Sequence, residues 1–195
     1  MDWSPSTLSD PLFGVSRLTA SPVSADARRF AEVWSDAAQP LPDLLLVLAS
    51  TRTAEQPGIS AAGSTPAARR TTALADAELL LKGPSVAPVW CLPPLPAGVS
   101  PALISWVVCD QLGLDPQVAA LGLPMPPPFP HLRFEDPCSG PGGCVSSGSA
   151  MEPERAEQLM HRGRRLGRRL RRPLVLAECV PGGTTTALAV LTGLG

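Results

Sequence analysis

The first sustained apolar run in the chain is Leu44-Leu45-Leu46-Val47-Leu48-Ala49, with Pro40 and Pro42 before it and a polar stretch from Ser50 after it. A short continuous run bounded in this way predicts a strand buried on both faces, as in a parallel sheet. Further apolar runs at Pro88–Leu92, Val118–Leu121 and Leu174–Ala177 predict three more strands of the same sheet. Helical spacing separates them. Ser24–Ala38 places Ala27, Phe30, Ala31 and Trp34 on one face, and Thr72–Lys82 ends at Gly83-Pro84. Ser100-Pro101 opens a helix reaching Asp110, with serine as N-cap and proline in the first helical position. Glu152–Arg172 is the most regular of these segments, with glutamates in its first turns, arginines at its end and Pro173 as its stop. Thr184–Leu194 begins a last helix.

Strands alternating with helices predict an α/β fold, a Rossmann-like and mainly parallel sheet flanked by helices. Residues 1–40 are expected to be an irregular segment with one helix, and residues 41–195 to be one α/β domain. Residues 123–149 are rich in proline, glycine and serine and form a loop excursion. Because the chain stops on a fresh helix, the sheet is expected to be incomplete.

Composition removes several alternatives. A net charge of −1 argues against a broad nucleic-acid surface. Leu44–Ala49 is far too short to cross a bilayer, and no secretory pattern opens the chain, so a cytoplasmic protein is expected. Five cysteines without a C-x-x-C pair read as reduced thiols. Cys138, Cys144 and His131 fit no common zinc spacing, so no metal is expected. Seven arginines between Arg162 and Arg172 are interleaved with leucine and glycine, which reads as a solvated helix face.

Two segments can carry chemistry. In the first, a strand ending at Glu178 runs into Gly182-Gly183-Thr184-Thr185-Thr186 and then a helix. The glycines allow close backbone approach. The threonines sit at a helix N-terminus, where free N–H groups and the helix dipole favour an anion such as phosphate. A tight turn with a threonine cap explains the same residues equally well. No lysine follows Gly183, so the P-loop pattern of triphosphate hydrolysis is absent and a nucleotide-dependent phosphotransferase is disfavoured. Glu178, at a strand's carboxyl end, is placed to act as a general base or to hold a ligand hydroxyl; a structural ion pair is the alternative. In the second segment, the loop after Ala49 holds Arg52 and the small-residue stretch Pro57-Gly58-Ile59-Ser60, suited either to wrapping a flat ligand or to serving as a plain surface loop.

Three stretches together resemble the nicotinate-nucleotide:dimethylbenzimidazole phosphoribosyltransferase family, in particular an archaeal and cyanobacterial branch of it. They are TRTAEQPGISAAGSTPAARRTTALADAELLLKG from Thr51 to Gly83, VSPALISWVVCDQLGL from Val99 to Leu114, and ECVPGGTTTALAVL from Glu178 to Leu191. The resemblance implies transfer of ribose phosphate from nicotinate mononucleotide to a benzimidazole-type base, which yields the lower-ligand nucleotide of cobalamin-type corrinoids. It implies no cofactor, a homodimer at full length, a phosphate turn at Gly182–Thr186, and Glu178 as the glutamate preceding that turn. The family's chains are longer, and the carboxylate assigned as general base in its bacterial members lies beyond the part this chain resembles. A truncated form, inactive alone, is therefore the expectation. The alternative is a non-catalytic nucleotide-binding or assembly protein of the same ancestry.

Overall fold

The computed structural model describes residues 41–92 and 100–195, and within it Pro42–Gly195 forms a compact unit. The expected helix at Ser24–Ala38 lies outside the described residues. Four strands, β1 (Asp43–Ala49), β2 (Pro116–Leu121), β3 (Leu132–Arg133) and β4 (Leu174–Cys179), form one sheet in the order β3-β2-β1-β4. All three pairings are parallel. Four α-helices flank the sheet: α1 (Pro66–Lys82), α2 (Pro101–Leu112), α3 (Pro153–Gly167) and α4 (Gly183–Leu194). The fold is α/β.

β1 is the centre of the sheet. Leu44, Leu46 and Leu48 pair with Pro116, Val118 and Ala120 on one side and with Val175, Ala177 and Cys179 on the other. Since side chains alternate across a strand, these residues share one face. Leu46, Leu48 and Val118 pack there with Ala73, Leu74, Ala77 and Leu80 of α1 to form the core.

Local chemistry explains α1. Thr65 caps it by accepting from the Ala68 N–H at 3.1 Å, Pro66 opens it, and Lys82 sits in its last turn. The helix thus starts six residues earlier than Thr72, because the cap and the alanine-rich first turns carry helix without an apolar stripe. Gly83 ends it at φ +74, and a Cβ there would lie 2.8 Å from the Trp106 ring of α2. Only glycine fits both the turn and that contact.

Other segments differ in detail from expectation. Pro88–Leu92 is irregular, with a bend at Val89-Trp90, and not a strand. The buried Glu78 carboxylate accepts the N–H groups of Val89 at 2.8 Å and Trp90 at 3.2 Å, so those donors are taken by a side chain instead of a ladder. The excursion at 123–149 contains β3, which adds to β2 through Ala119–Leu132 and Ala120–Arg133. Leu123 and Phe129 of the connecting loop turn back into the core. Helix α3 stops at Gly167, short of Arg172, as Arg169 and Leu170 bond back only three residues, to Leu166 and Gly167.

Candidate functional site at the carboxyl edge of the sheet

The strand order places a topological switch beside β1. From β1 the chain moves to β2 and β3 on one side, then returns past both to β4 on the other. Ligands of open α/β sheets bind beyond the carboxyl ends of strands at such a point. The loops following β1 and β4 meet there.

The β1 loop is held from both sides. On the β2 side, Thr51 forms a parallel bridge with Gly142: the Arg52 N–H donates to the Gly142 carbonyl at 2.8 Å, and the Gly142 N–H to the Ser50 carbonyl at 3.0 Å. Thr53, fully buried, accepts the Val145 N–H at 3.0 Å. On the α1 side, the buried Arg69 guanidinium donates to the carbonyls of Gly63 at 2.8 Å and Glu55 at 3.3 Å. On the β4 side, Thr51 Oγ1 donates to the Pro181 carbonyl at 3.3 Å.

The glycine turn is packed against this loop. Gly182 is the N-cap residue of α4 at φ +77, and a Cβ at that position would lie 2.9 Å from the Ala54 backbone nitrogen. Gly182 is therefore required twice, by its dihedral and by the approach of a neighbouring backbone. Gly183 donates its N–H to the Val180 carbonyl at 2.8 Å, and Thr186 donates to the Gly182 carbonyl at 3.2 Å. Among the described residues, the N–H groups of Thr184 and Thr185 meet no acceptor. An anion at this helix end would meet the N–H groups of Thr184 and Thr185, since that of Gly183 is occupied by its own turn. Thr186 Oγ1 bonds the Gly182 carbonyl at 3.2 Å and stabilises the first turn.

Glu178 is exposed on the sheet face opposite the α1 core, and its carboxylate oxygens lie 3.4 Å from where a Gly183 Cβ would be. The carboxylate thus stands beside the helix entry. Pro57, Gly58 and Ile59 form an exposed tip with open space around Gly58, and Ser60 Oγ accepts the Ala62 N–H at 3.2 Å. The β1-loop residues that touch the glycine turn are Thr51 and Ala54, which the sequence reading did not single out. Their signal was weak: two small residues at the end of an apolar run.

Two thiols border the region with opposite tendencies. Burial, reinforced by the Asp76 carboxylate 3.5 Å away, pushes the Cys179 thiol far up. The Ser146 hydroxyl 3.1 Å from Sγ draws the Cys144 thiol down. No group of three His, Cys, Asp or Glu side chains among the described residues is arranged to hold a metal ion.

Comparison with known proteins adds a family relationship. Over 152 residues the chain is 68% identical to a UPF0284 protein of Prochlorococcus marinus (strain MIT 9313), an alignment covering 78% of this chain and 38% of that protein. The chain is a homologue of the UPF0284 proteins. It is 65% identical over 153 residues to the UPF0284 protein of Parasynechococcus marenigrum (strain WH8102), covering 39% of it. It is 46% identical over 172 residues to that of Cyanothece sp. (strain PCC 7425), covering 46%. The chain thus spans less than half the length of these UPF0284 relatives. No family model matches it. No described helix is long and apolar enough to cross a membrane.

Proposed function

We propose that this chain carries the phosphate-binding part of a phosphoribosyltransferase that moves ribose phosphate from nicotinate mononucleotide to a benzimidazole-type base. The observation that carries the reading is the pair of unfilled N–H groups on Thr184 and Thr185, at a helix N-terminus held against the β1 loop at the sheet's switch point. The resemblance of Glu178–Leu191, Thr51–Gly83 and Val99–Leu114 to that enzyme family supplies the reaction. In it, a benzimidazole nitrogen attacks C1′ of the mononucleotide, the bond to nicotinate breaks with its electron pair leaving on nicotinate, and C1′ inverts. The attacking base loses one proton. Glu178, beside the helix entry, is the carboxylate in this chain suited to accept it. The Pro57–Ser60 tip is assigned to the substrate loop, with the flat rings as its ligand.

Two exposed N–H groups aided by a helix dipole contribute roughly 0.3–1 kcal/mol each. Nicotinate mononucleotide is therefore expected to bind this chain weakly, and the chain alone is expected to release no nicotinate in the presence of dimethylbenzimidazole. Calorimetric titration tests the site. Gly183→Val with Thr185→Val is expected to abolish binding, since a side chain at 183 crowds Val180 and Glu178 at the helix entry and the change at 185 removes a hydroxyl beside the free N–H groups. Unchanged affinity in that variant would remove the phosphate-turn assignment. The same pair of changes in a UPF0284 protein of full relative length separates binding from catalysis. A relative that binds nicotinate mononucleotide through this turn yet never releases nicotinate would be a non-catalytic nucleotide-binding protein.

A further inference from the structure

The edge of the sheet opposite β4 carries a basic feature that the transfer reaction does not use. Beside β3 lies the C-terminal half of α3, and the two enclose an open cavity of about 290 Å3. Its apolar lining comes from Leu132, Phe134 and Leu166, and its charged lining from Arg133, Arg162, Arg165 and Arg169.

None of these four arginines takes part in an ion pair among the described residues. Of the neighbouring carboxylates, Asp136 is held below the usual range by the Cys138 N–H and in part by the charge of Arg133, but forms no ion pair with Arg133. Glu135 receives two bonds from Arg155, both at 2.8 Å. Asp136 accepts the Cys138 N–H at 2.8 Å. Arg162 donates to the Phe134 carbonyl, a neutral acceptor. Arginines at a helix C-terminus complement the helix dipole, and that accounts for Arg165 in the last turn of α3. It does not account for Arg133, which reaches the same cavity from a separate strand. Guanidinium groups stay charged at every physiological pH, so four of them around one cavity repel one another unless an anion joins them.

We propose that this cavity binds a compact, multiply charged phosphate compound, of the class that includes nucleoside polyphosphates and inorganic polyphosphate. Its volume lies near the lower bound of small-ligand sites, and the chain's net charge of −1 disfavours a long nucleic-acid track. The four guanidiniums take the phosphate oxygens, and the Phe134–Leu166 floor accepts an apolar or ring portion.

The test titrates the full chain with sodium tripolyphosphate, ATP and orthophosphate at low and high salt. Tripolyphosphate is expected to bind more tightly than orthophosphate and to weaken as salt rises. A tighter hold on ATP would assign the floor to a nucleoside; equal affinity would assign the site to the phosphates alone. Each exposed charge removed is expected to cost roughly threefold, so Arg165→Gln with Arg169→Gln lowers tripolyphosphate affinity about tenfold. Arg133→Gln alone, on a different element, lowers it about threefold and guards against a helix defect in the double variant. The Gly183→Val/Thr185→Val variant keeps full tripolyphosphate affinity, which separates this cavity from the glycine turn. The proposal is overturned if the arginine variants bind as the unchanged chain does, if orthophosphate binds as tightly as tripolyphosphate, or if a single-stranded RNA binds more tightly than either.

Discussion

Alanine at Gly182 adds two costs, and Gly58 isolates one of them. Both glycines have nearly the same backbone, φ +77 and φ +76, in the left-handed region that disfavours a Cβ. At Gly58 the added methyl meets nothing within 4 Å, whereas at Gly182 it lies 2.9 Å from the Ala54 nitrogen, 3.2 Å from its Cα and 3.3 Å from its Cβ. Gly58→Ala should therefore cost only the dihedral strain, about 1–2 kcal/mol. Gly182→Ala should add the displacement of a neighbouring backbone, about 1–3 kcal/mol more. With a urea slope of roughly 1–3 kcal/mol/M, the two midpoints should differ by about 1 M. Urea titration of both variants, followed by fluorescence and circular dichroism to check for a single transition, reads the difference directly. Equal midpoints for Gly182→Ala and Gly58→Ala would refute the contact between the glycine turn and the β1 loop, and the site built on it.

Other outcomes follow from side chains elsewhere. Burial opposes ionisation of Glu78, but Lys82 at 2.7 Å and the Trp90 and Val89 N–H groups outweigh it and hold its carboxyl below the ordinary range. A carboxyl lowered in the folded state stabilises above its unfolded pKa, and that share is lost as pH falls below about 4. Glu78→Ala should cost about 2–4 kcal/mol and flatten this acid limb of a pH–stability profile; an unchanged limb would assign it to other carboxyls. Alkylation at neutral pH should modify Cys144 before Cys109 and Cys179, whose thiols are raised by burial, and peptide mapping by mass spectrometry gives the order. Leu176, Leu188, Leu191 and Leu194 are 64–80% exposed on β4 and α4, so the isolated chain should self-associate. Leu188→Glu with Leu191→Glu should shift it toward monomer in light scattering, and a monodisperse unchanged chain would contradict this.

The parts of the fold that were legible in the sequence are those whose burial is written locally. Leu44–Ala49 sits between neighbours on both sides, and its unbroken apolar run records that. The Leu174–Ala177 strand and the helix after Gly182-Gly183 were equally plain, because turn and cap residues mark their junction. Pro116 and Gln117 extend β2 although neither suits a strand, and their pairing with Leu44 and Leu45 explains it. Pro88–Leu92 looked like a strand until Glu78, ten residues before it, captured its N–H groups. β3 has two residues and no pattern of its own; only the open edge of β2 makes it a strand. At the site, the Gly-Gly-Thr turn could be read, but its partner could not. Contact with Ala54 and Thr51 depends on how β1 and β4 lie side by side.

The bond from Thr51 to Pro181 spans 130 residues. Such a contact closes late, because a long stretch of chain must first be ordered around it. During synthesis, β1 leaves the ribosome long before β4, and until β4 arrives one side of the most apolar strand stays open. The β1 loop can settle against Gly142 in that interval but has no glycine turn to meet. The corner that holds the candidate site is thus among the last parts of the chain to assemble, and nascent chains stalled before Leu174 would hold a sheet without it.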